Sequence, residues 1–355
     1  LPIFIFDENI LKHFSNDDPR VEFIYNSLMS LNNVFKKNKS SIEIYKGKPE
    51  KVFKELLLKY KIKNVFFNKD YEPYAIERDI KIKKLLLSKK INVFDFKDHV
   101  IYEKNEIAKA DRSPYRVYTP YSKLWLNKFF SESIERYESE NYLNNLVKLK
   151  NEHQISFKGL GFKKSLIKIH QYKIDSNLIN NYELTRNFPI YETSKLGLYI
   201  RFGTLSIRDI VLLASKSKNY TFLKELIWRE FFIQILWHFP HTIEQSFKPK
   251  YDSIKWLNNK KKFDLWCQGK TGFPLVDAGM NQLNQSGFMH NRIRMLVASF
   301  LCKHLLIDWR WGEAYFAKKL LDYEMASNVG NWQWIAGCGV DAAPYFRIFN
   351  PSEQI

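Results

Sequence analysis

Asn64-Val65-Phe66-Phe67 and Ile91-Asn92-Val93-Phe94 are short runs rich in β-branched and aromatic residues, and residues 75–87 between them repeat apolar side chains at helical spacing. This strand, helix, strand order recurs upstream. Residues 2–6 (Pro2-Ile3-Phe4-Ile5-Phe6) and 41–45 read as strands, and residues 20–35 and 49–60 as helices. Strands alternating with helices predict a parallel, doubly wound sheet, because each crossover helix must cover a face of the sheet it connects. Such sheets bind ligands beyond the strand C-termini, which places Phe6-Asp7 and residues 68–74 at the candidate ligand edge. No GxGxxG is present, so the usual dinucleotide fingerprint is absent.

After about residue 103 the pattern weakens into a polar stretch that reads as a connector. Beyond residue 165 the period of two disappears and helical spacing continues to the end, predicting an all-α second half. The chain of 355 residues is 45% hydrophobic and 16% aromatic, enough apolar surface for about two cores. No run approaches the ~18 apolar residues of a membrane span. The chain opens on Leu1-Pro2 without a basic n-region or small-residue cleavage site, and reads as a fragment that lacks material at both ends. Cys267, Cys302 and Cys338 have no CxxC spacing, which predicts neither a metal site nor a disulfide framework and points to a reducing, cytoplasmic setting. The net charge of +18 divides into +8 over residues 1–150 and +10 over the remainder. Charge spread so evenly leaves nucleic acid and a well-solvated surface on equal footing.

Eight of the nine tryptophans follow residue 227 and fall among paired polar residues. Glu225, Trp228 and Arg229 share one helical face, suited to a planar polar ligand; a core indole beside an ordinary Glu225–Arg229 ion pair is the stronger account on that helix alone. In His290-Asn291-Arg292-Ile293-Arg294-Met295, two arginines and an asparagine open an apolar helix, where burial demands anionic or amide partners. His290 reads equally as a helix cap and as a catalytic group. A third cluster runs from Asp322 through Glu324 and Asn328 to Trp332-Gln333-Trp334, and continues into Asp341-Ala342-Ala343-Pro344-Tyr345-Phe346-Arg347.

Together with Leu226-Ile227-Trp228-Arg229-Glu230-Phe231, Gly269-Lys270-Thr271-Gly272-Phe273-Pro274 and Asp308-Trp309-Arg310, these motifs resemble the flavin domain of the DNA photolyase/cryptochrome family, and most of all its class I cyclobutane pyrimidine dimer photolyases. Asn68-Lys69-Asp70-Tyr71-Glu72-Pro73 resembles the family's antenna domain, so the likeness covers nearly the whole chain. It implies an α/β, Rossmann-like antenna domain over residues 1–105 that lacks its first strand. A connector would follow over 106–165, and an all-α FAD-binding domain without its tail over 166–355.

The activity implied is light-driven repair, in which reduced anionic FAD passes an electron to a dimer flipped out of ultraviolet-damaged DNA, single- or double-stranded, by a monomeric enzyme. By the resemblance, Glu225 bonds the dimer carbonyl, Trp228 and Trp334 wall the dimer, Met295 packs on its bases, and Asn291 and Arg292 hold its edges and backbone. Asn328 lies against flavin N5, Arg294 and Asp322 pair beside the ring, and Arg229 and Glu324 belong to the same cofactor set. Tyr182, Thr193, Ser194, Lys195 and Leu196 match the flavin-phosphate segment, although Gly197 replaces a usual serine. Trp332, Trp309 and Trp266 match a chain of tryptophans carrying electrons from the surface to the flavin. For a second, antenna chromophore the resemblance disfavours folate, because Tyr71-Glu72-Pro73-Tyr74-Ala75 lacks the folate binders' Asn-Glu pair, and leaves a deazaflavin, a second flavin or none. The rival from another class is a cryptochrome-like photoreceptor that keeps FAD and the tryptophans without repair. Repair of 6-4 photoproducts is set aside because Met289 precedes a single His290.

Overall fold

The computed structural model describes residues 1–149 and 153–352. The chain divides into two compact units: residues 1–70, 74–97 and 135–169 form unit 1, and residues 71–73, 98–134 and 170–355 form unit 2. The stretch read as a connector therefore splits, its first part folding with unit 2 and its second with unit 1.

The four strands found among the described residues all lie in unit 1: β1 (Ile3–Asp7), β2 (Glu43–Gly47), β3 (Asn64–Asn68) and β4 (Asn92–Phe96). Helices Pro19–Lys37, Pro49–Lys59 and Pro73–Ser88 connect them, each opening on a proline whose missing N–H costs nothing in the first turn. Asp18 caps the first of these by accepting from Arg20 N at 2.9 Å, and binds the Arg20 guanidinium at 2.7 Å. Pairing is parallel throughout, Ile3 opposite Glu43 and Asn64 opposite Asn92. The strands nevertheless form two separate pairs, β1 with β2 and β3 with β4, where the sequence pattern predicts one sheet. Periodicity reports that a segment is extended and says nothing of which neighbour completes its ladder. The free edge of β2 is met by residue 153, whose carbonyl accepts from Ile44 N at 2.8 Å.

One polar knot lies inside unit 1. The fully buried Glu43 carboxylate accepts hydrogen bonds from Tyr45 (2.5 Å), Tyr60 (2.7 Å) and Lys59 (2.9 Å). Burial works to raise its pKa, but the three donors outweigh burial and hold it below the ordinary value.

Unit 2 contains only helices and irregular segments among its described residues. Its central helix, Thr221–His238, is apolar on nearly all sides and buries Leu223, Ile227, Phe231, Phe232, Ile233 and Leu236, as expected of a helix wrapped by others. One charged residue is buried with them. Glu230 accepts from Ile101 N (2.6 Å), Tyr102 N (3.1 Å) and the Trp125 indole (2.6 Å), fastening residues 101–102 and helix Tyr118–Ser131 to the central helix. A second cluster gathers around helices Pro274–Ser286, Asn291–Ser299, Trp309–Lys319 and Met325–Ala336. No described helix is long and apolar enough to cross a membrane.

Glu43→Gln is expected to lower the unfolding free energy of the protein by about 1–3 kcal/mol near neutral pH, measured by urea denaturation. Because the folded pKa of Glu43 lies below its unfolded value, its contribution is complete above the unfolded pKa of ~4.3 and is lost as pH falls through the folded one. The variant should therefore lose part of the acid limb of the stability profile, and an unchanged limb would remove Glu43 from this role.

Candidate functional site

Glu225, Trp228 and Arg229 share a face of helix Thr221–His238 as predicted, but Glu225 and Arg229 take different partners. Glu225 forms an ion pair with Arg186, the residue that closes helix Ser176–Thr185. Arg229 turns to Glu324 at 2.7 Å and to the carbonyl of His99 at 2.8 Å. Trp228 lies flat against Tyr118, ring centroids 3.6 Å apart and planes within 6°. Stacking this close is more than burial requires, and the Tyr118 hydroxyl is tied to Lys224 O at 2.8 Å.

Helix Asn291–Ser299 begins with His290 as its cap: the buried imidazole Nδ1 accepts from Arg292 N at 3.2 Å. Capping accounts for this histidine without catalysis. Asn291 and Arg292 both reach the Met295 thioether, at 3.9 and 3.8 Å, so three predicted substrate residues meet on one turn. The Arg292 guanidinium donates twice to Asn187 Oδ1, at 2.9 and 2.5 Å. Arg186 and Asn187, adjacent in sequence, thus hold Glu225 and Arg292. Burial, then the nearby Arg186 cation, lower the Arg292 pKa, and Glu225, Arg347 and Tyr182 act on the same group. Arg347 also lies over the Trp334 ring at 5.7 Å. Glu225, Arg292 and Trp334 therefore share one neighbourhood, to which Tyr118 joins Trp228 through its interaction with Glu225.

The predicted cofactor residues form a second group. Arg294 binds Asp322 through two contacts of 2.9 and 3.1 Å and donates to Met289 O at 2.8 Å. Asn328 donates to the Glu313 carboxylate at 2.9 Å, and burial raises the Glu313 pKa. Glu324 is buried between Arg229 and His99, and Ser327 donates to it at 2.8 Å. Burial opposes its charge, yet Arg229 and His99 hold its carboxyl well below the usual range. Burial and then Arg229 depress His99 in turn. Tyr182 sets its ring edge on Phe222 at 5.1 Å.

Thr193 and Ser194 are half-buried, and their hydroxyls have no protein partner among the described residues; the Lys195 ammonium beside them meets only Glu192, at 3.3 Å. Hydroxyl and ammonium donors left open in this way suit a pyrophosphate. Leu196 is buried behind them, and Gly197 comes so close to Asp322 that a Cβ there would lie 2.8 Å from the aspartate Cβ. The segment, the Arg294–Asp322 pair and the Asn328 amide thus fit a flavin nucleotide. Among the described residues no group of His, Cys, Asp and Glu is arranged to hold a metal ion.

Trp266, Trp309 and Trp332 depart from expectation in depth. Their exposures are 0%, 1% and 2%, so none of them is the surface end of an electron chain. Trp266 and Trp332 are neighbours at 6.2 Å, with the Trp266 indole donating to Val297 O at 3.1 Å. Half-buried Trp256 and Trp311 pack on the same cluster, and Phe263 bridges Trp266 (5.9 Å) to Trp311 (5.2 Å). Sequence spacing locates indoles and is blind to their depth. It also passed over Arg186, Asn187, Tyr118, His99 and Glu313; only Arg186, four residues after Tyr182, carried a local signal.

Residues 222–355 match the family described as the FAD binding domain of DNA photolyase, and residues 1–138 match that described as DNA photolyase. The deoxyribodipyrimidine photo-lyase of Alkalihalophilus pseudofirmus is 34% identical over 94% of this chain and 73% of its own length. That of Escherichia coli is 35% identical over 85% and 68%. Among solved structures, a bacterial class III photolyase from Agrobacterium tumefaciens superposes with a TM-score of 0.82 at 29% identity, covering 100% of this chain and 77% of its own. An archaeal photolyase from Sulfolobus tokodaii with two FAD molecules gives 0.80 at 31% identity, covering 100% and 80%.

Gly197→Ser places a side chain against Asp322, and overpacking of this kind costs about 1–3 kcal/mol. The variant is expected to retain less FAD after purification, read from the ratio of flavin to protein absorbance. Undiminished flavin would show that Asp322 yields without disturbing the site.

Proposed function

This chain belongs to the DNA photolyase family, and on that premise we propose that it splits cyclobutane pyrimidine dimers in ultraviolet-damaged DNA in the neighbourhood of Glu225. The observation that carries the reading is the convergence of Glu225, Arg292, Met295 and Trp334 with Arg186 and Arg347 around one place in unit 2. When bound, FAD in its reduced anionic form supplies, under light, the electron that opens the dimer. Arg294 and Asp322, with Asn328, would hold its ring system, and Tyr182, Thr193, Ser194, Lys195 and Leu196 its phosphates, with Arg229 and Glu324 beside them.

The dimer must leave the base stack to reach such a site. Trp228 and Trp334 offer it aromatic walls, and the Met295 thioether adapts to its saturated ring. Asn291 and Arg292 take its polar edge and backbone. Glu225 takes the dimer carbonyl, where negative charge develops and the Arg186 cation is at hand. The +18 charge draws in the phosphodiester backbone without reading sequence. Trp332, Trp309 and Trp266 relay electrons toward FAD during photoreduction, with a half-buried indole of their cluster completing the path to solvent.

Unit 1 is read as the Rossmann-like antenna domain and unit 2 as the helical FAD-binding domain of a monomer acting on cytoplasmic DNA. For a second chromophore a flavin suits better than folate, in keeping with the two FAD molecules of the archaeal relative. A photoreceptor would need FAD and the tryptophans but not the grouping of Glu225, Arg292 and Met295, so repair accounts for more of the chain.

Glu225→Ala is expected to cut the yield of dimer splitting about 10- to 100-fold, the loss of one hydrogen bond involving a charged group, while FAD stays bound. The check is loss of thymine dimers from an oligonucleotide under blue light, and normal repair by the variant would remove Glu225 from the mechanism. Trp266→Phe is expected to slow photoreduction in the presence of an external thiol while leaving repair by chemically pre-reduced enzyme intact. Equal losses in both assays would argue against an electron relay through Trp266.

A further inference from the structure

The segment 184–191 presents two opposite faces. Inward, Arg186 and Asn187 hold Glu225 and Arg292. Outward, Leu184, Phe188, Ile190 and Tyr191 are exposed by 72%, 52%, 88% and 54%. Phe188 and Tyr191 meet edge to face at 6.1 Å, and the backbone is shaped by turns from Phe188 N to Thr185 O (3.0 Å) and Tyr191 N to Phe188 O (3.1 Å). Apolar side chains held open on an ordered turn, two of them in ring contact, mark an interaction surface.

Charge decides the kind of partner. Arg201, Arg208, Arg229, Arg294 and Arg310 of unit 2 each have a carboxylate. Arg292 has none in ion-pair contact among the described residues: its acceptors are a neutral amide oxygen and a thioether, and of the charges near it Arg186 and Arg347 oppose its own while Glu225 favours it. Aromatic rings on a turn whose other side borders such a cation suit a polyanion that carries flat apolar groups, namely nucleic acid with unpaired bases.

We propose that Phe188 and Tyr191 form a stacking platform for the bases of the undamaged strand that are left unpaired when a dimer is extruded from a duplex. The proposal rests on the repair reading and adds to it a means of engaging the second strand. Extrusion of a dimer strips two bases of their partners, and their exposed faces need replacement surfaces. The platform supplies rings of the right kind beside the groups that take the dimer, and it makes duplex substrate differ from single-stranded substrate.

The test uses the full chain with FAD bound, the Phe188→Ala/Tyr191→Ala double variant, and one thymine-dimer oligonucleotide, alone and annealed to its complement. With one or two bases stacked, the variant should bind the duplex about 5- to 100-fold more weakly and the single strand within about twofold of the parent. Repair of already bound dimer by pre-reduced enzyme should keep its rate, and Phe188→Tyr/Tyr191→Phe should restore duplex binding. Equal weakening on both substrates, or none on the duplex, overturns the platform. Failure of the parent chain to bind or repair either dimer substrate would instead overturn the repair reading, so the two failures are distinguishable.

Discussion

The helical unit is organised around one buried carboxylate. Glu230 sits on an otherwise apolar helix, and its oxygens take two backbone N–H groups and an indole N–H from segments more than a hundred residues away. A carboxylate placed there without donors would be costly. With them it becomes the point at which residues 101–102 and helix Tyr118–Ser131 are fixed. Both placements matter downstream: the first brings His99 to Arg229, and the second lays Tyr118 on Trp228. Burial pushes the Glu230 pKa up to about 7 against the pull of its donors.

Glu324 shows the opposite balance. It is as enclosed as Glu230, but Arg229 and His99 keep it ionised. The two glutamates therefore tilt stability in opposite directions. Glu230, raised in the folded state, gives up its contribution as pH rises from the unfolded value of ~4.3 toward about 7. Glu324, depressed in the folded state, gives up its own only as pH falls below the unfolded value. Neighbours in sequence, Arg229 and Glu230 project from one helix to serve these two environments, so the helix predicted to recognise a ligand is also what locks the core.

The elements were legible because their signals are local. Residues 64–67 and 91–94 became β3 and β4 within a residue or two, and residues 20–35 became helix Pro19–Lys37. The face shared by Glu225, Trp228 and Arg229 followed from spacing alone. Partnership did not. Glu225 prefers Arg186, 39 residues away, to Arg229 one turn along its own helix, and Arg229 prefers Glu324. Helical spacing brings two charges into reach, but the winner is set by tertiary geometry and desolvation. For the same reason the strand pattern did not disclose two separate parallel pairs, nor the motif around Trp266 the complete enclosure of its indole.

The enclosure of the tryptophans has its own cause in the sequence. Gly312 lies directly under the Trp332 ring, where any Cβ would collide with the indole, so helix Trp309–Lys319 can approach helix Met325–Ala336 only because that position has no side chain. Gly330 admits Phe232 of the central helix in the same way on the other side. Interiors packed to this density transmit strain instead of absorbing it. The position of the Trp332 ring is therefore set by backbone approach at a glycine on either side of its helix, and not by the flexible packing of the rings themselves. A cluster built this way is fixed at its centre and leaves contact with water to the half-buried Trp256 and Trp311 at its margin.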